Sequence, residues 1–391
     1  MVVLTMFIVL LLLLAVNVPI AIALAVTTII AMVSAHGTNF LIDTAIVMFD
    51  GSMNFPLIAI PLFILAGAIM NSSGISRRLI AFASALVGFV KGGLSMITIA
   101  ASMFFAEISG SAVADVAALG SILIPAMKKK GYPAPFAAAV CSSAASLAVI
   151  IPPSIPMILY AVMAQTSVVQ LFVAGIIPGI IGGFGMMFVS YIYAKRKNLP
   201  IEEKFNLPNL RKTGKEAALA FILPVVILGG IFGGFVTATE GAGLAVVAAL
   251  IIGAIYRELN FQKLFEATTE GGAQTAIVML LVASSVLIGE FLTIEQVPQK
   301  VAASIIDFTS NKYAILAILN VFLLIIGFFL HSAAAIILVI PIVMPLIQIA
   351  GIDPIHFGII VTLNLAIGQQ TPPVASVLVT ACSVAKADIW E

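Results

Sequence analysis

The chain has 391 residues, of which 62% are hydrophobic and 9% are charged. A typical soluble domain is about 45–50% apolar and about 25% charged, so this composition excludes most soluble proteins and predicts a chain solvated mainly by lipid. The 18 basic and 17 acidic residues leave a formal net charge of +1. This balance argues against a nucleic-acid partner, because nucleic-acid-binding proteins carry a basic face.

The first ninety residues have the pattern of membrane and interfacial helices. Residues 2–33 form an apolar run longer than the roughly 20 residues that cross a bilayer, and Pro19 predicts that this helix is kinked or broken. The run has no basic leading segment, so we expect a retained helix rather than a signal peptide. An interfacial arm is expected at 36–54, a second span at 55–70 and an amphipathic surface helix at 77–89.

The rest of the chain alternates between continuous and interrupted apolar runs. The predicted elements, in chain order, are a run at 91–127 broken by the polar segment 107–115, a run at 135–164 broken at Pro152-Pro153, a span at 171–194, a polar loop at 195–215, spans at 216–234 and 238–256, a short arm at 257–269, a span at 271–290, a linking helix at 297–308, and interrupted runs at 312–350 and 355–384. The apolar segments are continuous rather than alternating, which argues against a β-barrel.

The interruptions repeat at an offset of 220 residues. The matching positions are Pro125 with Pro345, Gly131 with Gly351, and Pro152-Pro153 with Pro372-Pro373. Three coincidences at one offset, one of them a double proline, indicate an internal duplication.

The distribution of lysines predicts how the two repeats enter the membrane. Lys91 and the lysines at 128–130 bracket the first interrupted run, so both of its ends are expected on the cytoplasmic side. A run that starts and ends on one side must enter and return as a re-entrant helical hairpin. The second such run has Lys312 near its start and is expected to enter from the opposite side. We therefore predict an all-α integral membrane protein, an inverted repeat of the elevator type with two re-entrant helical hairpins and two discontinuous helices.

This arrangement predicts four segments. Residues 1–90 hold the scaffold helices and arm of the first repeat, and residues 91–170 hold its transport-domain hairpin and broken helix. Residues 171–311 hold a linking span, a cytoplasmic loop and the scaffold of the second repeat. Residues 312–391 hold the second hairpin and the second broken helix.

Hairpin tips and broken helices of such repeats meet near the bilayer midplane, where transporters hold cations on unwound carbonyls. Gly110 permits a tight tip between two hydroxyls, and each double proline leaves the preceding carbonyls without helical donors. Hard cations take oxygen ligands. The predicted Na⁺ ligands are Ser109, Gly110, Ser111, Ala148, Ile151, Gly368, Gln369, Thr371 and Pro373. Helix packing by small residues, and kinks satisfied by neighbouring hydroxyls, are the structural alternatives.

Polar and ionisable residues within apolar sequence are costly in lipid and are therefore candidates for function. The predicted substrate or gating residues are Glu107, Asp115, Ser154, His331, Ser332, Asn364 and Gln370. Glu107 and His331 lie at the two tips, and we expect a pair whose protonation gates the cavity. Glu240 is expected to act near a helix N-terminus, and for Glu290 an interfacial position and a functional role both stay open.

Several motifs together resemble one transporter family. They are Ser109-Gly-Ser-Ala-Val-Ala-Asp115, Ile151-Pro-Pro-Ser154, Thr371-Pro-Pro-Val374, Pro61-Leu-Phe-Ile-Leu-Ala-Gly67, Val90-Lys-Gly-Gly93 and Leu171-Phe-Val-Ala-Gly-Ile-Ile-Pro-Gly179. Nearly the whole chain resembles the large membrane subunit (DctM-like) of the tripartite ATP-independent periplasmic (TRAP) transporters. Relatives commonly carry an acidic residue where this chain has His331, and they usually continue into one more membrane helix.

The resemblance implies a multi-pass protein of the bacterial inner membrane that works by an elevator mechanism. It also implies Na⁺ as coupling ion with no other cofactor, a small four-helix membrane subunit, and a periplasmic protein that delivers the substrate. Family substrates are mostly carboxylates such as C4-dicarboxylates and sialic acid.

Three other classes of membrane protein fit the sequence less well than a secondary transporter. A passive channel stays the closest rival, because mirrored hairpins also build pores. An intramembrane hydrolase is disfavoured, because the sequence has no His-Glu-x-x-His and no Gly-x-Ser-x-Gly motif. The absence of a Walker motif disfavours an ATP-driven permease, and no enzyme activity is predicted.

Overall fold

The computed structural model describes residues 2–16, 18–38, 40–372 and 374–391, and at Ala15, Glu107, Ile108 and Ser109 it describes the backbone alone. Within these ranges every regular element is helical. Seven of the described helices are long and apolar enough to cross a membrane. The prediction of an all-α membrane protein is confirmed.

The first repeat begins with helices that belong to the predicted scaffold. They are α1 (Val2–Ala15), α2 (Ile20–His36), α3 (Phe40–Ser52), a 3₁₀ turn (Phe55–Ile58) that leads into α4 (Ala59–Ser72), and α5 (Ile75–Val87). Helices α1 and α2 pack side by side and line one cavity of about 180 Å³. Of the two forms predicted for residues 2–33, a kinked helix and a broken one, the structure has the broken one. Pro19 has extended backbone angles (φ −53°, ψ 132°), and the short connection reverses the chain.

The first hairpin and the first broken helix follow. They comprise α6 (Gly93–Ser109), α7 (Ala112–Asp115), a π-helical turn (Val116–Gly120), α8 (Ser121–Lys129), α9 (Ala134–Ala145), a 3₁₀ turn (Ser146–Val149) and α10 (Ile155–Met163). Gly110 ends α6 in the left-handed region with φ +58°, so the chain turns back there. Residues 150–154 separate the two parts of the broken helix.

Four long helices connect the two sets of hairpin and broken helix. They are α11 (Val168–Arg196), α12 (Leu207–Phe232), α13 (Ala238–Tyr256) and α14 (Phe261–Ile294). The predicted loop at 195–215 is shorter than expected, because Asn206 caps α12 by accepting a hydrogen bond from the Asn209 N–H. The separate arm predicted at 257–269 is wrong in its second part. Asn260 caps a continuous α14 that includes those residues, since charged residues tolerate a helix that extends beyond the bilayer.

The second repeat closes the described chain. Its elements are α15 (Val297–Phe308), α16 (Lys312–Phe329), α17 (Ser332–Ile349), α18 (Pro354–Gly368) and α19 (Ser376–Ala385). Helices α16 and α17 form the second hairpin, and α18 and α19 form the second broken helix. Helix α17 is buried along most of its length and packs against α10, α14, α15 and α18.

Two contacts between the repeats show that they run in opposite directions. Near the end of α10, the Tyr160 hydroxyl donates to the Pro354 carbonyl at the start of α18, at 2.6 Å. At the other face, Lys128 near the end of α8 donates to the carbonyl of Ala385, the last residue of α19. The broken helix of one repeat thus ends where that of the other begins, and the predicted inverted repeat is confirmed.

Candidate ion and substrate site

The tip of the first hairpin lies against the first broken helix. A Cβ atom at Gly110 would stand 3.2 Å from the Pro153 carbonyl oxygen and 3.4 Å from the Ile155 amide nitrogen. Ser111 follows in extended conformation and starts α7. Only a residue without a side chain allows the tip backbone to come this close while adopting a positive φ.

The prolines determine the hydrogen bonding of the first unwound segment. Pro152 and Pro153 have no N–H to donate four residues back, to Ala148 and Val149. The Ser154 hydroxyl replaces one of these donors, since it donates to the Val149 carbonyl at 2.7 Å. Ala148 and Ile151 are buried at this break. Their assignment as Na⁺ ligands stays a prediction.

The second unwound segment, or second break, lies between Gly368 at the end of α18 and Ser376 at the start of α19. It contacts the second hairpin as the first break contacts the first hairpin. A Cβ atom at Gly368 would stand only 2.5 Å from the Cα atom of Gly327 near the end of α16. The Val374 N–H donates to the Phe328 carbonyl at 3.3 Å. Each break therefore lies against the hairpin of its own repeat.

Two carbonyl groups of the second break already accept hydrogen bonds. The Thr371 N–H donates to the Gly368 carbonyl at 2.9 Å, and the Val377 N–H donates to the Gln369 carbonyl at 3.3 Å. A carbonyl oxygen has two lone pairs, so each retains one for an ion. The Thr371 hydroxyl donates to the Ile367 carbonyl at 3.2 Å.

Two glutamine side chains of the second break have oxygens without a hydrogen-bond donor. Oε1 of Gln369 and Oε1 of Gln370 are buried and accept no hydrogen bond in the described structure. The amide nitrogen of Gln369 donates to the Leu365 carbonyl at 3.3 Å. That of Gln370 donates to the Ser142 carbonyl of α9 at 3.0 Å, which joins the two repeats. Buried oxygens without donors are costly, and a cation would satisfy them.

Other predicted residues have structural contacts. Asn364 donates to Oδ1 of Asn320 at 2.7 Å and to the Ile360 carbonyl at 2.8 Å, which binds α18 to α16. Ser332 is buried as the first residue of α17, whereas the preceding His331 is exposed at the hairpin tip.

The remaining predicted residues of the first tip are described in part. Asp115 is buried at the end of α7, immediately before the π-helical turn. The side chains of Glu107 and Ser109, and all of Pro373, lie outside the described residues. The predicted pair of Glu107 with His331 therefore stays a prediction.

Glu240 and Glu290, the two other glutamates singled out within apolar sequence, lie away from the breaks. Glu240 and Thr237 form a capping box at the start of α13, with the Thr237 N–H donating to Glu240 at 2.7 Å. The expected position near a helix N-terminus is confirmed. Glu290 and Asp43 line a cavity of about 290 Å³ between α2, α3 and α14. The described residues contain no group of three His, Cys, Asp or Glu side chains suited to a metal ion.

Sequence reasoning missed three residues that position the site. Asn320 could have been recognised, because it is a lone carboxamide side chain within the apolar run that forms α16. Gly327 and Tyr160 could not, because a glycine or tyrosine in an apolar run is common. Their importance depends on which helices become neighbours.

The fold and its two unwound segments define a membrane transport protein of the inverted-repeat type. The YdaH transporter of Alcanivorax borkumensis has a similar fold, with a TM-score of 0.61 at 18% identity, over 91% of this chain and 82% of that one. Residues 7–391 match the DctM component of the tripartite ATP-independent periplasmic transporters. The chain belongs to this family, so it is an inner-membrane transporter component and not an enzyme.

Characterised relatives cover most of the chain. The isethionate TRAP transporter permease protein DctMQ of Oleidesulfovibrio alaskensis is 42% identical over 92% of this chain, which spans 57% of that longer protein. The C4-dicarboxylate large permease DctM of Pseudomonas aeruginosa is 41% identical over 84% of this chain and 78% of its own length. The sialic acid large permease SiaM of Vibrio cholerae is 36% identical over 89% and 81%.

Proposed function

We propose that this chain is the membrane subunit of a Na⁺-driven importer of an organic anion. The observation that carries the proposal is the second break, where the buried Oε1 atoms of Gln369 and Gln370 have no hydrogen-bond donor. These two glutamines directly follow Gly368, the last residue of α18, where the helix ends. Oxygen atoms of this kind suit a hard cation, and a transmembrane Na⁺ gradient can then drive uptake.

The names of the relatives favour an anionic substrate. Isethionate, C4-dicarboxylates and sialic acid, which name three of these transporters, are all organic acids. Helices α10 and α19 begin at the two breaks, and the positive end of a helix dipole attracts a carboxylate or sulfonate. Ser154 caps α10 at one break, and Ser376 begins α19 at the other.

The proposed complex has two partners. The relatives are called large permeases, which implies a small membrane subunit, and the relative named DctMQ is longer than this chain. The family description is periplasmic and tripartite, so the third component is a periplasmic protein that delivers the substrate.

For the mechanism we propose an elevator movement. Three hydrogen bonds join the hairpin and broken helix of one repeat to those of the other: Tyr160 to Pro354, Gln370 to Ser142, and Lys128 to Ala385. A unit linked at both ends and in the middle moves as one body, and the breaks travel with it. Helices such as α4, with α13 and α14 packed against it, form the stationary scaffold.

The test is uptake of radiolabelled organic acids into proteoliposomes that contain the chain, the small subunit and the periplasmic protein. Accumulation is expected with an inward Na⁺ gradient and not with K⁺ or choline in its place. Accumulation without a Na⁺ gradient would contradict the coupling, and ionic conductance without the periplasmic protein would support a channel instead.

A matched pair of variants tests the site. Gln370→Met keeps the side-chain length and removes the whole carboxamide, both the buried oxygen and the N–H that donates to Ser142. The Na⁺ concentration for half-maximal uptake should rise roughly ten-fold, as expected for the loss of about 1.4 kcal/mol of binding. Gln348→Met, at an exposed position in the last turn of α17, should leave it unchanged. Equal effects of the two variants would refute a role for the Gln370 oxygen.

A further inference from the structure

The connection between α11 and α12 is bound to both ends of the first hairpin. We call residues 197–206 the strap. The Pro200 carbonyl accepts hydrogen bonds from the N–H groups of Gly92 and Gly93, at 3.1 and 3.2 Å, where the hairpin begins. It also accepts one from the Tyr132 hydroxyl at 3.4 Å, where the hairpin has ended. The strap therefore follows the base of the hairpin.

The two acidic side chains of the strap have partners in neighbouring parts of the fold. Glu202 forms an ion pair with Lys130 at 3.4 Å. Glu203 accepts hydrogen bonds from the Ser84 hydroxyl at 3.0 Å and from the Asn209 amide at 3.1 Å. One carboxylate of the strap is thus paired with a lysine, and the other accepts hydrogen bonds from two neutral side chains.

The outer side of the strap is apolar and exposed. Phe89 and Phe205 contact each other edge to face, with ring centroids 5.3 Å apart, yet they are 43% and 55% exposed. Ile201 and Leu207 beside them in sequence are each 46% exposed. Phenylalanine and leucine form the apolar side of segments that lie in a membrane interface, whereas a patch of this kind facing water is unfavourable.

Basic residues flank the apolar patch. Lys91, Lys204, Arg211 and Lys212 are exposed and form no ion pair in the part of the chain that the structure describes. Unpaired basic residues around exposed aromatic rings complement a surface of anionic headgroups with acyl chains beneath them.

We infer that the strap binds anionic phospholipids of the adjacent leaflet: Phe89, Phe205, Ile201 and Leu207 insert at the interface, and the four basic side chains contact the headgroups. The inference is independent of the substrate and of Na⁺ coupling, because lipid contact requires no transport.

Tryptophan fluorescence of the reconstituted full chain tests this inference. The chain has one tryptophan, Trp390, so Phe205→Trp in a Trp390→Phe background gives a single probe. We expect blue-shifted emission that is quenched by phospholipids brominated near the headgroup and is protected from aqueous acrylamide. Red-shifted emission quenched by acrylamide alone would overturn the inference and leave the patch available to a soluble protein. If Phe205→Trp does not fold, Phe89→Trp places the same probe on the contacting ring.

The preference of the strap for anionic lipid is measured in vesicles that mix phosphatidylglycerol and phosphatidylcholine. In each experiment only one of the two lipids is brominated. Quenching should be stronger when phosphatidylglycerol is the brominated lipid, because each basic side chain adds about five-fold to the affinity for an anionic surface. Lys91→Gln with Lys204→Gln should remove most of this preference. The control pair, Lys300→Gln in α15 and Lys312→Gln at the start of α16, should retain it. Equal quenching by the two lipids in the unaltered strap would overturn the anionic specificity.

Discussion

At the scale of single residues, the contact of Gly368 with Gly327 controls the distance between α16 and α18. Gly368→Ala would place a Cβ 2.5 Å from the Gly327 Cα atom. The helices must then separate, and we expect a loss of about 1–3 kcal/mol in the free energy of unfolding. Thermal unfolding in detergent measures it. Gly272→Ala on α14, where a Cβ meets no atom within 4 Å, is the control and should be neutral or stabilising by up to about 1 kcal/mol; similar losses for both would contradict this account.

Tyr160 acts at the same scale by a single hydrogen bond. Tyr160→Phe retains the buried ring but removes the donor to the Pro354 carbonyl. The free energy of unfolding should therefore fall by about 1 kcal/mol. Tyr191→Phe on α11, 37% exposed on the outer surface, is expected to have no effect. Unfolding in a denaturant series compares the two, and an unchanged Tyr160→Phe variant would show that the bond between repeats contributes nothing to stability.

At the scale of elements, helix ends are determined by local chemistry. The Thr237 hydroxyl accepts from the Glu240 N–H at 3.2 Å and thereby caps α13. Thr237→Ala should destabilise the protein by about 1 kcal/mol without changing Na⁺ dependence, because the cap lies away from both breaks. Thr269→Ala, within α14, removes only a hydroxyl bonded to its own helix and should have a smaller effect. Altered Na⁺ dependence in Thr237→Ala would contradict a purely structural role for Glu240.

At the scale of the whole molecule, the inverted repeat predicts that the two hairpins start at opposite faces. In a background of Cys141→Ser and Cys382→Ser, a membrane-impermeant maleimide should label Lys91→Cys from one compartment and Lys312→Cys from the other. Lys129→Cys, at the end of α8, should be labelled with Lys91→Cys. Labelling of Lys91→Cys and Lys312→Cys from the same compartment would refute the topology.

The sequence alone determined the membrane class, the repeat and the positions of both breaks. These follow from local properties: continuous apolar runs of spanning length, lysines that favour one side, and double prolines that cannot donate to a helix. For the same reason α13 and α15 were predicted with their observed bounds. For residues 2–33 the sequence left a kinked and a broken helix open, and residues 257–269 were predicted as a separate arm, because a proline or a charged stretch does not reveal whether the chain reverses or continues.

Only the tertiary structure decided which atoms meet. Gln370 was predicted as a polar residue near a break, but its bond to Ser142 depends on how the second repeat packs on the first. The contact of Gly327 with Gly368 and that of the strap with the hairpin base likewise join segments distant in sequence. Such contacts are determined by the packing of whole helices, and neither periodicity nor composition of one segment contains that information.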